Sequence, residues 1–271
     1  MRITHKRRTA LFAAVGLLAT TIAVAAPNAA TAAPSVAETA SGPAGWVRLG
    51  HMSPDTTEVD VRVTALRGGT TVFELSDVGY GDISPYEPLP QGTYTVAMVG
   101  AGSDDWAAPV ISASITIGDG TASTIAAYGP NSDLQVKAFT DDLTAPTPGS
   151  ARIRVIQAST VTPSVDVRTT TGVAIASNAV AGSATPYAEV PAGSWTLELE
   201  GEDVSDTATV DVAAGSVSTL FVLDTAEGGL TILPVIDSAA VAVTPEGGVQ
   251  TGGGWLAQHV DFGAAPFARA V

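Results

Sequence analysis

The chain contains no cysteine, which removes disulfides, thiolate nucleophiles and cysteine metal sites together. Basic residues are scarce: 12 Lys and Arg stand against 27 Asp and Glu in 271 residues, a formal net charge of −15. Four of those cations, Arg2, Lys6, Arg7 and Arg8, lie at the very N-terminus, and without them 8 basic residues face 27 acidic ones, a net of −19. Phosphate backbones and anionic membrane surfaces are bound mainly through Lys and Arg, so this balance excludes nucleic acid as a partner. Beyond the leader only His51 and His259 could offer imidazole, on separate segments, which is too few ligands for zinc or copper. No stretch after the leader repeats its apolar residues with a helical period, so no amphipathic helix is expected there.

What the chain does have begins with a leader. His5-Lys6-Arg7-Arg8 precedes an uncharged, mostly apolar run from Thr9 to Ala26, followed by Ala29-Ala30-Thr31-Ala32-Ala33 ahead of Pro34. A basic start, an apolar middle and an Ala-x-Ala-like end describe a cleaved signal peptide over residues 1–33, cut after Ala32 or Ala33. The apolar run falls short of the roughly 20 residues that a spanning helix needs, so no membrane insertion is expected after cleavage. Arg7-Arg8 admits a twin-arginine reading, although its flanks fit that pattern poorly.

Residues 34–45 read as a flexible leader segment, and after them the chain repeats itself. Val47-Arg48-Leu49-Gly50-His51-Met52-Ser53 before Val59-Asp60-Val61-Arg62 corresponds to Ile153-Arg154-Val155-Ile156-Gln157-Ala158-Ser159 before Val165-Asp166-Val167-Arg168, 106 residues on. Ser84-Pro85-Tyr86 through Val96 corresponds to Thr185-Pro186-Tyr187 through Leu197 at an offset of 101. Ile115–Thr124 corresponds to Val210–Thr219 at an offset of 95. The order is kept while the offset shrinks, as loops shorten between two copies of one unit. The copies span 46–143 and 151–238, joined by a proline-stiffened linker over 144–150 and followed by a Gly-rich tail over 239–271.

Within each copy the period is two. Val59, Val61 and Val63 alternate with polar neighbours, as do Tyr94, Val96 and Met98, and Trp195, Leu197 and Leu199. About seven strand-like runs per copy, cut by turns such as Arg67-Gly68-Gly69 and Glu227-Gly228-Gly229, predict an all-β chain. The architecture expected is two tandem immunoglobulin-like or transthyretin-like antiparallel β-sandwich domains.

The stretch Val47–Val63, with His51-x-Ser53-Pro54-Asp55 ahead of Val59-Asp60-Val61, resembles the opening of the bacterial domain of unknown function 4397, and the likeness extends through both copies. The second copy departs at Gln157, which stands for His51, and at Thr160-Val161, which stand for Pro54-Asp55. The resemblance implies a secreted or envelope-attached bacterial protein and carries no activity.

His51, Ser53 and Asp55 are residue types suited to acyl transfer. Alternate residues of one extended segment, however, carry parallel side chains about 7 Å apart, too far for a nucleophile–base hydrogen bond. Ser53-Pro54-Asp55 reads better as a loop with Asp55 capping backbone amides. Carboxylates at Asp104-Asp105, Asp119, Asp141-Asp142 and Glu202-Asp203 match no calcium loop, so calcium is the sole cation held open and solvated surface acid is the default. Trp195 takes a core position, while Trp106 in its Gly-Ser-Asp-Asp-Trp loop is the aromatic to consider for ligand stacking. Thr251-Gly252 resembles the scissile pair of a sortase signal, but Gln258, His259, Asp261 and Arg269 interrupt the apolar segment that such a signal requires.

The expectation is a monomeric, secreted or surface-associated binding or structural module without catalytic residues. Its loops around His51, Ser53 and Asp55 and around Asp104, Asp105 and Trp106 would contact an envelope polymer or another protein. The alternatives are an extracellular hydrolase with a dispersed carboxylate pair and a passive surface spacer.

Overall fold

The structure, a computed structural model, describes residues 44–238. The signal-peptide region with Ala32 and Ala33, and the tail with Thr251, lie outside the described residues. Among the described residues every regular element longer than a single 3-10 turn is a strand, and the strands fall into two β-sandwich domains of the same topology.

The first repeat holds β1 (Ala44–Met52), β2 (Val59–Ala65), β3 (Thr71–Val78), β4 (Glu87–Pro90), β5 (Gly92–Gly100), β6 (Ile111–Ile117), β7 (Ala122–Tyr128) and β8 (Gln135–Asp141). The second holds β9 (Ser150–Gln157), β10 (Ser164–Thr169), β11 (Ala174–Val180), β12 (Ala188–Pro191), β13 (Gly193–Glu200), β14 (Ser205–Val212), β15 (Val217–Asp224) and β16 (Leu230–Ser238). Sheet order β4-β1-β7-β8 in one recurs as β12-β9-β15-β16 in the other, and β3-β2-β5-β6 recurs as β11-β10-β13-β14. Eight strands per copy replace the seven expected, because the short β4 and β12 count separately from the strands that follow. The sheets are also not purely antiparallel: β1 pairs with β7, and β9 with β15, in parallel. Period-two alternation is the same for either pairing sense, so the sequence could not show this.

The outer sheets alternate as predicted. Val59, Val61 and Val63 are buried between half-exposed neighbours, and Tyr94, Val96 and Met98 are buried in β5. Each sandwich has its own core, built around Val47, Val61, Val96 and Ile117 in the first repeat and around Ile153, Val167, Leu197 and Leu220 in the second. The Pro-x-Gly-x-aromatic turns are stapled locally: Tyr94 Oη donates to Pro90 O at 2.7 Å, and Trp195 Nε1 to Pro191 O at 3.2 Å.

The inner strands behave differently. All eight residues of β15 are buried, as are the last six of β1. Strands covered on both faces lose alternation, and here the second face is the other repeat. A third cluster joins Met52, Ala126, Tyr128 and Phe139 of the first repeat to Ile156, Phe221, Leu223 and Val235 of the second. Residues 44–238 are therefore four sheets deep, with the two inner sheets packed together through an apolar layer.

Candidate functional site

The strongest concentration of buried charge lies at this inner interface, on β1, β7, β8 and their counterparts β9, β15, β16. Side chains one residue apart from the core-facing Val47 and Leu49 point the other way, so Arg48 is aimed out of its own sandwich. Its Nη2 pairs with Asp237 Oδ1 of the second repeat, both side chains having no exposure. Nη1 donates to Ile236 O at 3.2 Å, and Nε to Thr124 Oγ1 of its own repeat at 2.8 Å. The second repeat answers in kind. Arg154 Nη2 pairs with Asp141 Oδ1 of the first, Nη1 donates to Thr140 O at 2.9 Å, and Nε to Thr219 Oγ1 at 2.9 Å.

Each carboxylate is also held from its own side. Tyr86 Oη and Thr124 Oγ1 donate to Asp141 Oδ2 at 2.5 and 2.8 Å; Tyr187 Oη and Thr219 Oγ1 donate to Asp237 Oδ2 at 2.5 and 2.8 Å. Both guanidinium groups lie over the tyrosine ring of their own repeat, 4.7 Å from its centroid. The two constellations exchange when the repeats exchange, as at an isologous dimer interface. Burial would lower the Arg48 pKa, but Asp237, Tyr86 and Asp141 outweigh it and raise it, so the guanidinium stays charged. Burial, and then the adjoining carboxylates, push both tyrosine hydroxyls well above their ordinary value despite the arginines, keeping them protonated donors.

This arrangement corrects one expectation: Asp141 is no solvated surface acid but a buried partner of Arg154. Three donors meet each of Asp141 and Asp237. The signal for the lock was present in sequence as an arginine inside each apolar run, Arg48 and Arg154, and as the repeated Pro-Tyr. What could not be read was that each arginine answers an aspartate of the other copy.

The structure disperses the sequence-nominated residues. His51 and Ser53 are buried, with 1% and 0% exposure, so neither presents itself to a ligand as expected. Neither nitrogen of His51 has a partner of hydrogen-bonding geometry; burial lowers its pKa against the nearby backbone of Thr56 and Thr57, leaving it neutral. Its counterpart Gln157 explains the position: the Gln157 amide accepts from Ser159 N at 2.8 Å and donates to Thr162 O at 3.3 Å, bracing the β9–β10 loop. Ser53 Oγ meets Thr56 Oγ1 at 2.7 Å, and Asp55 Oδ1 accepts Asn131 N at 2.8 Å, so this segment is a self-braced loop. The Asp104–Trp106 loop follows β5, whose end is tied back by Ala101 N donating to Glu58 O at 2.9 Å. Asp104 and Asp105 are exposed, but the Trp106 ring is stacked on Arg62, 3.8 Å from the guanidinium carbon, and that arginine is itself paired with Glu74. Asp60 and Asp166 of the repeated Val-Asp-Val-Arg, which the sequence reading passed over, each accept a backbone amide from a bulged residue with positive φ, Asp77 and Asn178. Among the described residues no group of three or more potential metal ligands occurs, and no helix is long and apolar enough to cross a membrane.

Fold and interface together define a two-repeat β-sandwich protein whose repeats are joined through a charged, buried seam. The model of one family, described as Domain of unknown function (DUF4397), matches residues 45–168, covering the first repeat and continuing through β9 into β10. The resemblance drawn from the opening motif is thus supported over those residues. No curated protein matches the chain. Among solved structures it is similar to the Bacillus anthracis TIE protein at 11% identity and a TM-score of 0.23, over 70% of this chain and 34% of that one. It is also similar to the tip fimbrial protein Mfa3 of Porphyromonas gingivalis (8%, TM-score 0.23, 72% and 99% coverage). A third is a family 26 carbohydrate-binding module of Eubacterium rectale solved with maltoheptaose (11%, TM-score 0.21, 73% and 99%). This chain spans about a third of the TIE protein, and none of the three scores carries an argument about function.

Proposed function

We propose that this is an exported, non-catalytic binding and display module in which two copies of the family domain, 46–143 and 151–238, work as one rigid body. The reading is carried by the reciprocal seam: Arg48 and Arg154 each cross to the aspartate of the other repeat. Buried ion pairs are costly to form and costly to break singly, so they fix geometry more than they add stability. A chain that only had to space two domains would need no such seam, because a linker does that alone. The hydrolase alternative gains no support, since both seam carboxylates are taken up by three donors each.

Export is tested by separating the producing cells into medium, envelope and cytosol and measuring intact mass in each. The expected form begins near Ala33 or Pro34 and is found outside the cytosol. A cytosolic chain that keeps residues 1–33 would contradict it. A form truncated at Thr251 and bound to the envelope would add covalent display.

A further inference from the structure

The two sides of the seam are built alike but not lined alike, and the repeat supplies its own control. Beside Arg154 runs an open groove of about 520 Å³ between the edge strand β8 of the first repeat and β9 with the Ala184–Tyr187 segment of the second. Lys137, Arg152 and Arg154 line it, three of the seven Lys and Arg residues between 44 and 238 in a strongly acidic chain. Arg154 belongs to the lock and has its equivalent in Arg48. Lys137 and Arg152 do not: strand register places Leu233 and Trp46 at the matching positions. The seam on that other side closes without either cation, so the shared architecture of the two repeats does not call for them.

Both are nonetheless held in place. Lys137 Nζ donates to Gly182 O at 2.7 Å, which leaves two of its protons free. Arg152 is steadied by Thr144 O at 2.7 Å and by Asp142 Oδ2 at 2.6 Å, with its guanidinium 5.3 Å from the Tyr187 ring centroid and its Nε unengaged among the described residues. Those hydrogen bonds from Arg152 and Thr144 hold the Asp142 carboxyl well below the usual range, so it stays a fixed anion beside Arg152. Counting Asp141 and Asp142 against the three cations leaves the groove positive by one.

We infer that this groove binds a carboxylate-bearing glycan of the uronic-acid type, with Lys137 and Arg152 on the carboxylates and the exposed Pro186 against a sugar ring. An acidic peptide added as a strand fits less well. Arg154 already occupies the Thr140 carbonyl, and a lysine on an edge strand discourages strand addition. The inference rests on the proposed binding module and names its ligand class.

The test is isothermal titration of the full chain with an oligogalacturonate, its methyl-esterified form and an oligoglutamate, on wild type, Lys137→Ala, Arg152→Ala and Arg62→Ala. The expected result is binding of the free-acid sugar that weakens with added salt. It falls about tenfold or more on esterification and in Lys137→Ala and Arg152→Ala, and is unchanged in Arg62→Ala. Equal binding of the ester, equal binding of the peptide, no binding, or indifference to both substitutions would overturn it. Thermal unfolding of the same wild-type sample keeps the two readings apart: a non-binding protein that unfolds in one step refutes only the glycan assignment, whereas two independent steps refute the rigid body.

Discussion

At the scale of single residues, each buried polar group of the seam has an answering partner, and removing one strands the other. Arg154 is nearly inaccessible and faces Asp141 across the seam, so Arg154→Ala leaves a carboxylate buried without its cation. Losing one partner of a buried pair costs about 3–5 kcal/mol, and chemical denaturation should register a loss of that size. Arg154→Met combined with Asp141→Leu should lose much less than the two changes made separately, because neither charge is stranded. Additive losses would show that the pair does not interact as described. His51 gives a second residue-scale prediction. Its pKa is lowered on folding from the ordinary 6.5, so the unfolded chain takes up the proton first and stability falls as pH drops below about 6.5. Gln157 shows that glutamine suits the position, so His51→Gln should keep stability at pH 7 and remove the histidine's share of the slope between pH 5.5 and 7. An unchanged slope would contradict the buried neutral imidazole.

At the scale of elements, the sequence showed the outer strands plainly and the inner ones only in part. Val59–Val63 and Tyr94–Met98 alternate because one face meets water, which is the pattern that reveals a strand and its inward face. Val217–Asp224 is buried on both faces, so its Val-Ser-Thr-Leu-Phe-Val-Leu run says that something covers it without saying what. Tight approach between the repeats appears at Gly182, where φ is +70° and an added Cβ would collide with Tyr128 Oη of the other repeat. Its counterpart Gly81, at φ +84°, would meet only Leu223 Cδ1 at an ordinary 3.9 Å. Gly182→Ala should therefore lower the melting temperature more than Gly81→Ala, since both suffer backbone strain but only one suffers the clash. Adding Tyr128→Leu should recover the difference. Equal effects in the two alanine variants would mean that the seam is looser than the geometry states.

At the scale of the molecule, the duplication was legible because three blocks keep their order at shrinking offsets, and the candidate site was not. Of the residues that look reactive on paper, Ser53 and Asp55 brace a loop, while His51 is buried in β1 with neither nitrogen partnered. The groups that matter, Arg48 with Asp237 and Arg154 with Asp141, are separated by 189 and 13 residues. Only folding brings them together, and nothing local marks an aspartate at a strand end as the partner of an arginine in another repeat. The parallel pairing of β1 with β7 escaped for the same reason, since strand direction leaves no trace in alternation. A tandem array whose units share a buried face should also lose independence, because neither repeat can keep its inner sheet covered without the other. The two repeats should behave as one cooperative body, and differential scanning calorimetry of the full chain decides this. A single transition whose calorimetric and van't Hoff enthalpies agree is the predicted result. Two transitions, or a calorimetric enthalpy near twice the van't Hoff value, would show two sandwiches that merely share a chain.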